Sequence, residues 1–277
     1  MIDLHTHFFH AAGHTPQFQE EADLARGAPV RLTVTPEDFD AAMQAVDRAV
    51  VLGCRALRVG LCQNNDLIAQ FVARNPAKYV AFAGIDPGET HFMEDLEHGL
   101  DDLHMRGVKL LPMYAGFDPR DRRLDPLYER CAREGLPVLF HTGTTFCRQA
   151  PLRYTRPMLW EEVAERFGDL KMVLAHLGHP WEHEMVALIR KQPNIWADVS
   201  ALHYRPWQFY NALMLVQEYG VWNKLLFGSD FPITTPQAQA EGMRALNNML
   251  EGTRLPRLNP DAIEQVIQRD AFTLLGL

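Results

Sequence analysis

Residues 171–181 read Lys-Met-Val-Leu-Ala-His-Leu-Gly-His-Pro-Trp. Lys171–His176 is a short run, apolar from Met172 to Ala175, that ends on a histidine. Gly178 and Pro180 then break any helix, and Glu182–Lys191 follows as a helix-length amphipathic stretch. A strand buried on both faces, a polar residue at its end, a loop and a helix make one parallel βα unit. The same order recurs along the chain. Short apolar runs also occupy Ile2–His5, Ala49–Leu52, Tyr79–Ile85, Val108–Leu111, Pro137–His141, Ile195–Ser200 and Leu225–Asp230, which makes eight strands. Helix-like segments separate them. One opens at Pro36, with Thr35 as candidate N-cap. Others cover Asn64–Arg74, Phe92–Met105, Asp125–Glu134, Pro157–Phe167 and Pro206–Tyr219, and Pro236–Leu250 and Pro260–Leu275 close the chain.

Eight such units, with a strand at the first residues and no Gly-rich dinucleotide fingerprint, predict an α/β fold. They favour a closed (β/α)8 TIM barrel over an open, doubly wound sheet. The length of 277 residues fits a single domain over 1–277. Residues 8–35 are long for a βα connection. They are expected to form an extended loop over the strand ends, a lid or a substrate-contact segment.

Hydrophobic residues make up 47% of the chain, enough for a sizeable core. The net charge of −8, with no Lys/Arg run, argues against nucleic acid as a partner. A small anionic substrate stays compatible with it, because a local cationic pocket can sit on an acidic protein. No apolar run reaches the roughly 18 residues of a membrane span. No secretory signal is visible, and none of the four cysteines forms a C-x-x-C pair, so reduced thiols and a cytoplasmic location are expected. A homodimer is compatible with the helical exterior of a barrel, although no interface stripe stands out.

Polar residues stand where buried strands end. His5 and His7 close the first strand, His141 the fifth, His176 the sixth and Asp230 the eighth, while Lys109 lies within the fourth. C-terminal strand ends of a barrel converge on one mouth, where active sites are built. His5-x-His7 puts two imidazoles on one side of an extended strand. Alone, that pair is a weak signal, since neighbouring histidines are more often surface or hydrogen-bonded groups. Joined to His141 and Asp230 it predicts a metal site, and imidazoles plus a carboxylate suit Zn²⁺ best, with Mn²⁺ or Fe²⁺ as alternatives. A core histidine and a helix cap are the plainer readings of His141 and Asp230. Lys109 is open between an ion pair, a substrate contact and carboxylation. Arg148 and His179 are candidate substrate contacts, and Asp198 a candidate orienting group for a ligand. His10, His14 and His183 read as loop or helix-start residues.

Taken in order, Asp3-x-His5-x-His7, Gly107-Val108-Lys109-Leu110, Leu139-Phe140-His141-Thr142-Gly143, Leu174-Ala175-His176-Leu177-Gly178-His179-Pro180-Trp181 and Phe227-Gly228-Ser229-Asp230-Phe231-Pro232 resemble the amidohydrolase superfamily. Within it the chain is similar to the amidohydrolase-related branch of TIM-barrel metal-dependent hydrolases. The resemblance runs nearly end to end. It implies that His5, His7 and His141 are histidine ligands of one or two divalent ions. It implies that Asp230 binds metal and moves the proton of the nucleophilic water. His176 matches a residue that ligates a second metal in binuclear members and handles a proton or oxyanion in mononuclear ones. Lys109 falls where binuclear members carry a carboxylated, metal-bridging lysine.

The expected activity is hydrolysis of a C–N or C–O bond, in an amide, lactone or ester of a small substrate, by metal-activated water. Non-oxidative decarboxylation of an aromatic or unsaturated carboxylic acid is the alternative, because relatives in the same branch use the same ligands for it. A barrel that has lost its metal and only binds is a third reading, and the intact ligand set argues against it.

Overall fold

The computed structural model describes all residues, 1–277. Eight parallel strands form one sheet: β1 (Ile2–Thr6), β2 (Arg48–Leu52), β3 (Tyr79–Ile85), β4 (Val108–Leu110), β5 (Val138–Phe140), β6 (Met172–Leu174), β7 (Ile195–Asp198) and β8 (Leu225–Leu226). Each pairs with the next in sequence order. The seam between β8 and β1 is closed by backbone hydrogen bonds from Leu4 N–H to Phe227 O at 3.1 Å, Asp230 N–H to His5 O at 2.7 Å and His7 N–H to Phe231 O at 2.7 Å. The fold is thus the TIM barrel that the eight repeated units predict. No helix is long and apolar enough to cross a membrane.

Alternation along the strands explains the two-layer core. Val50, Leu52, Val80, Phe82, Leu139, Val173 and Leu226 form one cluster, packed with Phe272 and Leu275 of the last helix, Ala271–Leu275. The intervening residues, such as Val51, Ala81, Val108, Phe140 and Ala197, join a much larger cluster with the surrounding helices. Strands buried on both faces must be apolar throughout, and this is why they read as continuous runs. A buried Leu or Phe side chain contributes on the order of 2 kcal/mol through apolar area removed from water.

Two details depart from the sequence expectation. Residues 8–35 are not simply a loop, because they contain an eleven-residue helix, Pro16–Arg26. Thr15 caps it, Pro16 opens it, and Gly27 closes it in the left-handed conformation at φ 66°. Its polar sequence hides it, since only Phe18 and Ala22 are buried. The loop after β2 folds into a small hairpin, Arg55–Ala56 against Leu61–Cys62. The helix opened by Thr35 and Pro36 carries a full capping box through Asp38.

Strands β2 and β3 approach closely at Gly53 and Gly84. A Cβ on Gly84 would lie 2.5 Å from the Gly53 carbonyl carbon and 2.7 Å from its oxygen. Both are backbone atoms, so a rotamer change cannot relieve the clash. Gly84→Ala is expected to destabilise the barrel by about 3 kcal/mol, read as a lower urea midpoint at unchanged slope. A midpoint equal to that of the parent protein would contradict this packing.

Candidate metal centre and active site

The strand ends bring the polar residues together. His5 lies in β1, Lys109 in β4 and Asp198 at the end of β7, while His141, His176 and Asp230 follow β5, β6 and β8. His5 Nε2 is 3.4 Å from Asp230 Oδ1 and 3.3 Å from Lys109 Nζ. His7 Nε2 is 3.2 Å from the same Asp230 oxygen. The His176 ring centroid is 4.9 Å from that of His5 and 4.8 Å from that of His141. Ligand atoms of His5, His176 and Asp230 all lie within 4.8 Å of one another. This grouping differs in one respect from the set read off the sequence. His7 meets the cluster through Asp230, and His141 reaches it edge-on, with its Nε2 3.4 Å from the Thr144 carbonyl oxygen.

The orienting contacts decide which lone pairs face inward. His5 Nδ1 is 2.9 Å from the Asp198 carboxylate, an acceptor, so Nδ1 carries the hydrogen and Nε2 the lone pair. His7 Nδ1 is 3.3 Å from the Leu52 carbonyl oxygen, with Cys54 Sγ at 3.2 Å. Its Nε2 donates to Asp230 Oδ1 at 3.2 Å, the arrangement of an imidazolium that loses a proton before it can ligate a cation. His176 Nδ1 is 2.8 Å from Ser200 Oγ and 3.2 Å from the Ser200 carbonyl oxygen. The Ser200 hydroxyl itself donates to Asp198 Oδ1. Ring nitrogens of His5 and His7 thus both face one oxygen of the Asp230 carboxylate. Imidazole nitrogens and a carboxylate oxygen gathered in a buried site make up a donor set suited to a divalent cation.

The electrostatics agree. Burial, helped by the charge of Lys109, pushes His5 down to about 3, which keeps it a neutral ligand. Burial also lowers His7, but Cys54 and Asp230 outweigh it and bring His7 up to about 9. Burial raises Asp230, yet the hydrogen bond from His7 and the nearby His5 and His176 hold it well below the usual carboxylate range. His141 is held well below its ordinary value by burial and by His176. Lys109, 1% exposed, is lowered by burial.

Above this cluster opens a cavity of about 380 Å³, of small-molecule size. Its walls are apolar and partly aromatic, with Phe9, Phe18, Leu111, Tyr114, Phe146 and Ile233. His7, Lys109, His141, His176, His179 and Asp230 line it as well. His176 and Asp230 adopt positive φ, 57° and 67°. Such backbone is costly for residues with a side chain and concentrates at functional sites.

The other candidates fall on both sides of the cavity wall. His179 lines it, with Nδ1 2.6 Å from Glu182. Arg148 does not line it: the residue is exposed, and its backbone N–H donates to Glu21 at 3.2 Å. Sequence reasoning passed over Cys54, Ser200, Arg26, Tyr204 and Arg205. The pair Thr15-Pro16 was the available signal for the helix that carries Arg26, because it repeats Thr35-Pro36.

A parallel barrel with imidazoles and one carboxylate gathered at its mouth is the architecture of a TIM-barrel enzyme built around a metal site. The family profile described as Amidohydrolase matches residues 2–271, and the chain belongs to that family. Curated protein sequences give no significant match. Among solved structures, an uncharacterized TIM-barrel protein from Bordetella bronchiseptica is 23% identical, with a TM-score of 0.74 and coverage of 100% of this chain and 99% of that one. A probable 2-pyrone-4,6-dicarboxylic acid hydrolase from Acinetobacter baumannii, with citric acid bound, is 18% identical at a TM-score of 0.66, covering 100% and 99%. A dihydroxybenzoic acid decarboxylase from a Polaromonas species, with manganese and 2-nitroresorcinol bound, is 16% identical at a TM-score of 0.64, covering 100% and 96%. At these identities the likeness is one of fold.

Proposed function

We propose that the protein hydrolyses a C–N or C–O bond, in an amide, lactone or ester, of a small substrate that enters the cavity above Asp230. The observation that carries this reading is the convergence of His5, His176 and Asp230 within 4.8 Å at the end of that cavity. A divalent ion, Zn²⁺ or Mn²⁺, fits the donor set of His5, His7 and Asp230 with His176 or His141. When bound, it supplies polarisation of a carbonyl and activation of water at neutral pH. The chain's own residues do the rest. Asp230, held ionised, takes the proton of the attacking water and returns it to the leaving group. His176, fixed by Ser200, presents its Nε2 to the cavity as a ligand or, with a hydrogen on that nitrogen, as a donor to the developing oxyanion. Lys109 places its amine 3.3 Å from His5 Nε2. The apolar wall excludes bulk water.

Decarboxylation of an aromatic acid is the second reading, and the aromatic wall of Phe9, Phe18, Tyr114 and Phe146 favours it. Elemental analysis and product analysis test both. About one equivalent of zinc or manganese in the purified protein, lost together with turnover in His5→Ala, is expected. Incorporation of ¹⁸O from labelled water into product supports hydrolysis, while release of CO₂ without it transfers the assignment to decarboxylation. A protein that takes up no metal after reconstitution would sink both.

A further inference from the structure

Charge is distributed unevenly around the cavity. The protein carries a net charge of −8, yet the cavity is lined by Arg26, Lys109 and Arg205 and by a single acidic side chain, Asp230. Lys109 and Asp230 belong to the polar cluster described above. The other two cations come from elsewhere. Arg26 ends the helix Pro16–Arg26, and Arg205 immediately precedes the helix Pro206–Tyr219 after β7. Both guanidinium groups lie over one ring, that of Tyr204, at 4.3 Å and 4.6 Å from its centroid. Arg26 Nη2 also donates to the Tyr204 hydroxyl at 2.9 Å.

Neither Arg26 nor Arg205 has a carboxylate within salt-bridge distance. This sets them apart from Arg55, Arg130, Arg156, Arg166 and Arg244, each of which holds an acidic partner. A solvated arginine on the convex surface needs no partner. Two unpaired arginines stacked on one tyrosine at the wall of a cavity are different. Apart from the Arg26 Nη2 that donates to the Tyr204 hydroxyl, stacking leaves the guanidinium N–H groups available, and such groups match a carboxylate.

We propose that Arg26, Tyr204 and Arg205 form an anion-recognition subsite that selects substrates with a second carboxylate, remote from the reacting bond. The substrate class is then a planar, unsaturated or aromatic dicarboxylate, or a monocarboxylate bearing the scissile bond at its other end. The ring packs against Phe18 and Phe146, and the carboxylate meets the arginine pair. The helix Pro16–Arg26 acts as the carrier of one half of the subsite. This proposal rests on the cavity being the substrate site. It holds for hydrolysis and decarboxylation alike.

The test is binding, measured by calorimetry at low salt on the metal-reconstituted protein. The probes are benzoate, isophthalate and terephthalate. The better dicarboxylate is expected to bind at least tenfold more tightly than benzoate to the parent protein. In Arg26→Gln/Arg205→Gln that preference falls to about twofold or less, with benzoate affinity unchanged. A latch that merely holds the helix in place would weaken all three ligands together. Equal affinities in the parent protein, no binding of any probe, or a preference that survives the double substitution would each overturn the subsite. Metal content is measured on the same samples. A metal-loaded protein without the preference fails this proposal alone. A metal-free protein that keeps the preference fails the metal-dependent reaction alone.

Discussion

Asp230→Asn is expected to lower kcat by a thousandfold or more, with the fold intact by circular dichroism. The carboxylate is the only acidic group lining the cavity. It stands 3.2 Å from His7 Nε2 and 3.4 Å from His5 Nε2, within the donor set proposed for the metal. Asparagine keeps the shape but removes the charge and the ability to take a proton. Loss of general-base action alone is worth about 10²–10⁴ in rate, and a weakened metal site adds to it. The check is single-turnover kinetics at saturating metal, which separates the two contributions. Turnover within tenfold of the parent enzyme would remove Asp230 from proton transfer.

The second large effect is expected at Asp198, which never meets the cavity. Its side chain is fully buried and serves four groups: His5 Nδ1, the Ser200 hydroxyl, and the backbone N–H groups of His176 and Ser200. Burial raises its carboxyl, but His5 and Ser200 outweigh burial and hold it well below the usual range. Folding therefore gains from the ionised form, a gain present above the ordinary carboxylate pKa of about 4 and lost as acid protonates the group. Asp198→Ala leaves donors buried without an acceptor. It should cost about 3–5 kcal/mol of stability and weaken metal binding by about 10–100-fold. The checks are thermal denaturation of the metal-free protein and metal competition with a chelator. Asp198→Asn retains part of the network through its carbonyl oxygen and should fall between. A variant with unchanged chelator competition would show that His5 needs no orienting partner.

The barrel was legible because burial on both faces forces each strand into an apolar run, and a polar residue at the end of such a run stands out. His5, His176 and Asp230 could be singled out for that reason. Their mutual distances could not, because spacing along a strand says nothing of how rings turn. His141 shows this: it ends its strand as read, yet its ring meets His176 edge-on, and its Nε2 faces the Thr144 carbonyl. Arg148 was open between a substrate contact and a solvated arginine, because a cation a few residues past a strand end can point either way, and here it is exposed. The Arg26–Tyr204 contact joins positions 178 residues apart, which no local pattern encodes. The helix that carries Arg26 buries only Phe18 and Ala22, so its apolar periodicity was too thin to register.

The seam of the barrel passes through the same residues as the chemistry. Asp230 donates its backbone N–H to His5, joining the eighth strand to the first. During synthesis, then, a nascent chain cannot assemble this site until Asp230 has left the ribosome, 225 residues after His5. A product truncated before β8 keeps all the strand-end histidines but lacks the carboxylate. It also leaves the edges of β1 and β7 unpaired, and exposed edges of that kind recruit other strands. A chain cut there is expected to lose the site and to aggregate together, because one seam carries both.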